Sequence, residues 1–121
     1  MVTQHLKTGK IGEQKAIDFL KENNYKILFS NWRFQKFEID IIAKKDNEVI
    51  FVEVKTRTSS LLSEENLVSL SQQKRIIQAA DYFIKQNKLD YNIRFDMIFV
   101  ERTLNSFKLT HFKEFFIPSI D

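Results

Sequence analysis

Apolar residues recur at helical spacing in the segment from Thr8 to Asn23, near the start of the sequence. Ala16, Ile17 and Leu20 share one face of such a helix. Glu13 falls on the same face, because it lies about one helical turn before Ala16 and two turns before Leu20. A carboxylate on an apolar face is costly unless another group compensates its charge. The pattern therefore predicts an amphipathic helix with one glutamate directed inward.

Three strands are predicted next, where alternating and β-forming residues dominate. The second alternates apolar and polar residues, which places its apolar members Phe37, Ile39, Ile41 and Ala43 on one face. The third contains the near-continuous apolar run VIFVEVKT, which is typical of a central strand covered on both faces. The predicted bounds are Tyr25 to Phe34, Phe37 to Ala43 and Val49 to Thr56, with a hairpin turn from Lys44 to Glu48.

A second helix is predicted to begin at Ser69 or Ser71, because serine is a common N-cap residue, and to end at Asn87. A polar loop from Thr58 to Asn66 precedes it. The buried stripe of this helix is expected to contain Ile77, Ala80 and Ile84, joined by Ile76 and Phe83. Two further strands follow, from Asn92 to Glu101 and from Ser106 to Phe112, with a turn near Asn105.

The predicted order α-β-β-β-α-β-β indicates an α/β fold, a mixed β-sheet flanked by helices. The 121 residues are the usual size of one domain and no linker or repeat divides them, so we expect a single domain over residues 1–121. The 12 Phe residues supply ample apolar surface. We expect Trp32 and the aromatic residues near the end of the chain to lie in the core; the latter are Phe112, Phe115 and Phe116. The alternatives for these residues are a platform for stacking bases or a dimer interface.

Charge and cysteine content narrow the class of protein. The net charge of +3 is mildly basic. If Glu13, Asp40 and Glu53 bind metal, 13 of the 16 acidic residues remain against 19 basic ones, and the rest of the surface is more positive. This favours a nucleic-acid partner, with an ordinary solvated basic surface as the alternative. The absence of cysteine excludes disulfides and thiolate chemistry. No signal peptide or membrane-spanning run is visible, so we expect a cytoplasmic protein.

The candidate chemistry lies in the second and third predicted strands. Glu53 and Lys55 interrupt the most β-prone strand and, two residues apart, point to the same face. Asp40 lies one short hairpin away, so antiparallel pairing would bring it near Glu53. Two close carboxylates repel each other, and a divalent cation between them removes that cost. Oxygen ligands suit Mg²⁺, which binds through one or two carboxylates and contacts a substrate phosphate, while a nearby lysine offsets charge during phosphodiester hydrolysis.

The pattern of Asp40 followed by Glu53-Val54-Lys55 resembles the PD-(D/E)XK nuclease signature, in a context similar to that of archaeal Holliday-junction resolvases. From Gly9 to about Phe116 the chain resembles, more narrowly, the bacterial YraN family of predicted endonucleases. The proline that often precedes the signature aspartate is Ile39 here, and proline contributes no ligand. The segments that carry the resemblance are Gly12-Glu13, Glu38-Ile39-Asp40-Ile41-Ile42-Ala43, Phe51-Val52-Glu53-Val54-Lys55-Thr56-Arg57 and Arg94-Phe95-Asp96.

The resemblance implies a restriction-endonuclease-like core with a defined set of catalytic and metal-binding residues. Asp40 and Glu53 would bind Mg²⁺ or Mn²⁺, together with the backbone carbonyl of Val54. Lys55 would position the attacking water, and Glu13 would bind a second metal or an outer-shell water. The alternative for Glu53 and Lys55 is a simple ion pair, and for Glu13 an exposed or capping residue near the start of a helix.

Other charged residues also have two interpretations. Glu38 is either an extra ligand or a solvated residue paired with Arg33 or Lys36, and Asp96 is expected to make a structural hydrogen bond rather than to act in catalysis. His5 and His111 are expected at the surface or in packing. Four residues are candidates for phosphate contacts or for a supporting role near the site, with ordinary surface charge as the alternative; they are Arg57, Lys74, Arg75 and Gln73.

These observations lead to three hypotheses for the function. The first is a Mg²⁺- or Mn²⁺-dependent endonuclease acting on DNA rather than RNA, structure-selective or non-specific because no long recognition loop is predicted. The second is a nucleic-acid-binding module of the same fold with little cleavage, and the third is a protein-interaction domain. The resemblance to resolvases suggests a homodimer, and a protein partner in DNA processing is a further expectation.

Overall fold

A computed structural model describes residues 4–58 and 68–116 of the chain, in the order α-β-β-β-α-β-β. The predicted α/β fold with a mixed sheet is confirmed. The helices are α1 (Gln4–Glu22) and α2 (Leu70–Asn87). The strands are β1 (Lys26–Phe34), β2 (Phe37–Lys45), β3 (Glu48–Thr58), β4 (Asn92–Arg102) and β5 (Phe107–Phe112).

The five strands form one sheet in the order β1-β2-β3-β4-β5. Neighbours are antiparallel except β3 and β4, which run parallel because α2 crosses over the sheet between them. Strand β3 is central, and its apolar residues from Val49 to Val52 are at most 1% exposed. The prediction of a central strand covered on both faces is therefore confirmed.

The ends of the helices follow local capping chemistry. Ser69 is the N-cap of α2, and its side chain accepts a hydrogen bond from the Gln72 N–H at 3.2 Å. Helix α1 begins at Gln4, earlier than the predicted Thr8, and the chain leaves it through Asn24 with a left-handed φ of 70°. The predicted polar loop lies outside the described residues except for Thr58, which ends β3.

Each face of the sheet packs against one helix. Helix α2 covers a core that includes Val49, Phe51 and Met97, whereas α1 covers a core that includes Ile50 and Val52. Of the predicted stripe of α2, Ile76, Ala80 and Phe83 are buried, and Ile77 and Ile84 pack at its margin. Ala79 is also buried and was not predicted. Neither helix of the described part is long and apolar enough to cross a membrane.

Strand β2 departs from strict alternation, which corrects the expectation that its four apolar residues share one face. Phe37 and Ile39 pack on the α2 side of the sheet, whereas Ile41 and Ala43 pack on the α1 side. The change of face occurs at Asp40, where β2 separates from β3. At this point the pairing of β2 with β3 ends, whereas its pairing with β1 continues on both sides of Asp40.

The aromatic residues predicted for the core pack against it while keeping part of their surface exposed. Trp32 meets the edge of the Phe83 ring at a centroid distance of 5.6 Å. In the tail, Phe116 stacks on Phe95 at 5.0 Å and Phe112 packs against Phe115. Their packing interpretation is confirmed for the part of the chain that the structure describes.

Candidate metal-binding site

The candidate site lies where β2 and β3 separate. Ile41 and Val52 form the last residue pair between these strands. Beyond it β2 continues beside β1, and β3 continues beside β4 as far as Thr58. Asp40 and Glu53 are the next residues on the two strands, so their side chains meet at the head of the opening. We call this opening the β2–β3 gap.

The Asp40 side chain replaces a backbone hydrogen-bond acceptor for β3, at a point where β2 no longer pairs with it. Its Oδ2 accepts a hydrogen bond from the backbone N–H of Val54 at 2.8 Å. The N–H and C=O of one residue in a strand point to the same side, so the Val54 carbonyl also faces the β2–β3 gap. The predicted carbonyl ligand is thus directed toward the predicted carboxylate ligands.

Glu53 is held by two donors, Gln72 from α2 and Lys55 from its own strand. Gln72 donates from Nε2 to Oε1 at 2.8 Å, and Lys55 Nζ lies 3.6 Å from the same oxygen. The side chains of Lys55 and Glu53 are only 18% and 13% exposed. Both donors approach Oε1, which leaves Oε2 of Glu53 and Oδ1 of Asp40 as the oxygens directed elsewhere.

The carboxylate pair carries more negative charge than its surroundings compensate. The pKa of Glu53 is raised to about 8, mainly by burial. The charge of Asp40 contributes to this rise, and it outweighs the opposite effect of the neighbouring Lys55. Burial also raises the pKa of Asp40, against the effect of the Val54 N–H bond, which lowers it. The pair therefore favours a proton, or a cation in its place, at neutral pH.

Helix α1 brings Glu13 to the same site. Gly12 permits this approach, because a Cβ atom at that position would overlap Oγ1 of Thr56 on β3. Burial raises the pKa of Glu13, and the charge of Asp40 raises it further, while the Asn31 side chain lowers it by hydrogen bonding. Glu13 lies in the middle of α1 rather than at its start, so the capping interpretation does not apply.

Two cavities adjoin the carboxylate pair, and both Asp40 and Glu53 line both of them. The large cavity has a volume of about 710 Å³ and is bordered by α1. The small cavity has a volume of about 250 Å³ and is bordered by α2. The large cavity is lined by Gly9, Lys10, Glu13, Gln14, Ile17, Ser30, Asn31, Arg33, Glu38, Asp40, Glu53, Val54, Lys55, Thr56 and Arg57, and the small one by Lys36, Phe37, Glu38, Asp40, Glu53, Gln72, Arg75 and Ile76.

The structure brings some of the predicted phosphate-binding residues to the site and leaves others away from it. Arg57 lines the large cavity and Arg75 the small one, whereas Lys74 lies exposed and lines neither. Gln73 donates to the Val68 carbonyl at 3.2 Å, which directs it away from the carboxylates.

Sequence analysis missed Gln72 and Asn31. Gln72 is the third helical residue after the Ser69 cap, so fixing the start of α2 would have directed attention to it. Asn31 has a left-handed φ of 52° inside β1, a conformation that asparagine tolerates better than most residues. Its residue type was the available signal.

Glu38 makes the surface pair that was one of its two interpretations. It lies opposite Arg33 in the β1–β2 ladder, and the two side chains are 3.6 Å apart. The Glu38 side chain is 45% exposed, and that of Arg33 is 71% exposed. A pair so exposed contributes little to stability, at most about 1 kcal/mol.

Asp96 belongs to a separate charge cluster on the α1 side of the sheet, and its structural role is confirmed. It is 1% exposed and accepts two hydrogen bonds from Arg94, both at 2.8 Å. It also contacts His111 Nε2 at 2.7 Å and accepts from the Glu114 N–H at 3.0 Å. Burial opposes ionisation of Asp96, but these hydrogen bonds together hold its pKa below the ordinary value.

The two histidines have different outcomes. His111 packs edge-on against Phe19 and Tyr25 at centroid distances of 6.0 and 5.9 Å, which confirms its packing interpretation. Sequence analysis missed its hydrogen bond to Asp96. The side chain of His5 lies outside the described residues.

The donor set fits a cation that keeps part of its water shell. In residues 4–58 and 68–116, no three side chains of His, Cys, Asp or Glu are gathered closely enough to hold a metal by themselves. Mg²⁺ needs only one or two carboxylates, because water and substrate phosphate complete its shell. Two converging carboxylates, a backbone carbonyl and an excess of negative charge meet that requirement.

Comparison with known proteins finds relatives along nearly the whole chain. The uncharacterised protein family UPF0102 matches residues 12–100. A UPF0102 protein of Bacteroides thetaiotaomicron is 41% identical over 120 residues, which cover 98% of this chain and 99% of the relative. A UPF0102 protein of Flavobacterium psychrophilum is 40% identical over 116 residues, covering 95% and 98%. A UPF0102 protein of Syntrophus aciditrophicus is 43% identical over 101 residues, covering 82% and 80%.

Proposed function

The chain belongs to the uncharacterised protein family UPF0102, the YraN family, and we propose that it is a metal-dependent DNA endonuclease. The observation that carries this proposal is the carboxylate pair at the β2–β3 gap. Asp40 and Glu53 are mostly shielded from solvent, repel each other and line two cavities. A buried charge of this kind is expensive to maintain unless it binds something.

Asp40, Glu53 and the Val54 carbonyl would hold Mg²⁺ or Mn²⁺. Hard oxygen donors suit these ions, and each carboxylate has one oxygen directed away from its protein donors. The bound ion would polarise a phosphoryl oxygen and lower the pKa of a water. Gln72 keeps the Glu53 carboxylate in one orientation by holding Oε1.

Lys55 and Glu13 have supporting roles in this proposal. The Lys55 ammonium is mostly buried beside Glu53, where it orients the attacking water and offsets negative charge that develops on the phosphoryl group. Glu13 reaches the pair from α1, and its carboxylate binds a second cation or a water in the outer shell. The two helices thus complete a site that begins with two neighbouring strands.

The substrate in this proposal is DNA bound through its backbone. Basic residues border the large cavity, including Lys10, Arg33 and Arg57, and backbone phosphates are the groups they would contact. Such contacts position a strand without reading its bases. The proposed activity is therefore structure-selective or non-specific.

The test is cleavage of labelled single-stranded, duplex and four-way-junction DNA with Mg²⁺, Mn²⁺ or EDTA. The Asp40→Asn protein should lose metal-dependent cutting, while the matched Asp46→Asn control should keep it. Asp46 is exposed in the β2–β3 turn with a left-handed φ of 54°, which asparagine accepts.

Mn²⁺ binding to the same two proteins should be measured by calorimetry. Loss of Mn²⁺ binding in Asp40→Asn but not in Asp46→Asn would support the site independently of any substrate. Cutting that EDTA and Asp40→Asn leave unchanged would refute the proposal. Binding of DNA without cutting of any of the three substrates would favour the binding-module hypothesis instead.

A further inference from the structure

The β2–β3 gap is open toward both helices. Asp40 and Glu53 line the large cavity beside α1 and also the small cavity beside α2. The two helices pack on opposite faces of the sheet. The carboxylate pair thus borders open space on both the α1 side and the α2 side, in the part of the sheet where β2 and β3 are no longer paired.

Two exposed basic residues border the small cavity on the α2 side of the carboxylate pair. Lys36 lies in the β1–β2 turn, and Arg75 lies near the start of α2; both line the small cavity. Phe34 pairs directly with Phe37, so the turn contains only Gln35 and Lys36. Such a short turn leaves the chain little freedom, which keeps Lys36 at the margin of the cavity.

The basic residues of the two cavities differ in how far protein groups already engage them. In the large cavity, Lys55 pairs with Glu53, Arg33 pairs with Glu38, and Arg57 donates to the backbone carbonyl of its neighbour at 2.7 Å. Of the described basic residues that line this cavity, Lys10 alone makes no such contact. Within the described residues, neither Lys36 nor Arg75 enters a salt bridge. These two cations are therefore available to an anion from outside the protein.

We propose that Lys36 and Arg75 form a phosphate subsite next to the carboxylate pair, and that the substrate is an unpaired nucleic-acid strand crossing the β2–β3 gap. This inference rests on the proposed function, because it assumes that the phosphate bound at the carboxylate pair is the one that is cut. The subsite holds the neighbouring phosphate of the same strand. The positive charges of Lys36 and Arg75 offset the negative charge of Asp40 and Glu53, which would otherwise repel a polyanion.

The size of the small cavity sets the class of substrate. Its volume of about 250 Å³ is below the roughly 300–1,000 Å³ of pockets that enclose drug-sized ligands. One phosphate with its sugar fits such a space, whereas two paired strands do not. An unpaired strand can place its phosphate there without a partner strand beside it, so the strand we propose is single-stranded or an unpaired segment of a branched molecule.

The test measures binding by fluorescence anisotropy in EDTA, with Glu53→Gln protein so that the strand stays intact. The probes are a labelled 12-nucleotide oligothymidylate and a blunt 12-base-pair duplex, each titrated over a range of salt concentrations. The variant adds Lys36→Gln and Arg75→Gln. The control instead adds Lys85→Gln, a change on the same helix at an exposed residue paired only with Asp81.

For the oligothymidylate, loss of two phosphate contacts should reduce the slope of log K against log salt by about 1.4, since each contact to a single strand contributes about 0.7. The control should keep the slope of the parent protein. The duplex, which does not enter the small cavity, should bind equally to variant and control.

Three results would overturn the subsite: an unchanged slope in the variant, an equal loss of slope for the duplex, or no binding of the oligothymidylate by the parent protein. The nuclease proposal fails separately, in the cleavage test with Asp40→Asn. A reduced slope in a protein that cuts no substrate would support the subsite and refute the nuclease proposal. Cutting with an unchanged slope would support the nuclease proposal and refute the subsite.

Discussion

Asp96 and Glu53 are carboxylates near the middle of the sheet, on the adjacent parallel strands β4 and β3; Asp96 is buried, and the Glu53 side chain is 13% exposed. Asp96 pairs in register with Val52, the residue before Glu53, and the two acids face opposite sides of the sheet. Hydrogen bonds from His111, Arg94 and a backbone N–H outweigh the cost of burying Asp96, so its pKa is lowered. Glu53 has Lys55 and Gln72 but also the charge of Asp40, and its pKa is raised to about 8.

The difference separates a structural charge from a site available for binding. The Asp96 cluster satisfies its charges within the protein, which is typical of a group that fixes the fold. The Asp40–Glu53 pair leaves negative charge uncompensated beside two cavities. Burial of a carboxylate alone does not distinguish these cases; the number and charge of its partners do.

The largest effect is expected from neutralising the structural carboxylate. Asp96→Asn should lower the free energy of unfolding by about 3 kcal/mol, because it weakens two charge-assisted hydrogen bonds from Arg94, which keeps only Glu48 as a charged partner among the described residues. Asp40→Asn should change it by less than about 1 kcal/mol, since the amide oxygen can still accept from Val54. Urea denaturation in EDTA measures both. Equal destabilisation by the two changes would remove the distinction.

The second effect sharpens the comparison on the catalytic side. Lys55→Met should reduce kcat for DNA cleavage by about 100- to 1,000-fold, because it removes a positive charge beside the reacting phosphate. Mn²⁺ affinity should not fall, since the ligand oxygens remain. Lys85→Met, at an exposed residue of α2, is the control for charge. Normal cleavage by Lys55→Met would mean that this lysine only balances Glu53.

The third change acts on the position of α1. Gly12→Ala should destabilise the protein by about 1 to 3 kcal/mol and reduce cleavage, because the new methyl group overlaps Thr56 and displaces Glu13 from the site. Gly9→Ala is the matched control in the same helix. Nothing lies within 4 Å of a Cβ at Gly9, so alanine should stabilise the helix by up to about 1 kcal/mol. Similar results for the two variants would contradict the close approach.

The smallest expected effect is a pH dependence of the free energy of unfolding, which has opposite signs for Glu53 and Asp96. Because the pKa of Glu53 is raised, folded protein without metal binds more protons than the unfolded chain between about pH 4.5 and 8. Its free energy of unfolding should therefore fall across that window, on the order of 1 to 3 kcal/mol. Urea denaturation in EDTA at pH 5.5 and 8 should show a smaller fall for Glu53→Gln, with a residual contribution from Asp40 and Glu13.

Asp96 acts in the other direction, since its pKa is lowered in the folded state. Its contribution to stability is complete above the ordinary aspartate pKa of about 4 and is lost as the pH falls through the folded value. Acid denaturation below pH 4 should report this loss. A fall in stability between pH 5.5 and 8 that is identical in wild type and Glu53→Gln would contradict the charge assigned to the pair.

Local sequence patterns predicted the type and order of every element in the described part, with boundary differences of a few residues. Capping chemistry was less decisive: serines at 69 and 71 were equivalent candidates until the structure placed the first turn of α2. Gln73 was predicted to support the site, whereas the structure places its neighbour Gln72 there. A shift of one position on a helix turns a side chain by about 100°, enough to exchange a contact with Glu53 for one with Val68.

The sequence by itself determined that Glu53 and Lys55 share a face of one strand, because backbone sterics fix a period of two. It also determined the alternation of helix and strand, which depends on neighbours a few residues apart. Only the tertiary structure decided where β2 leaves β3, and so where Asp40 meets Glu53. It likewise decided that His111 forms a hydrogen bond with Asp96 from another strand. Such pairings depend on strand register and on packing across the sheet, which no local pattern specifies.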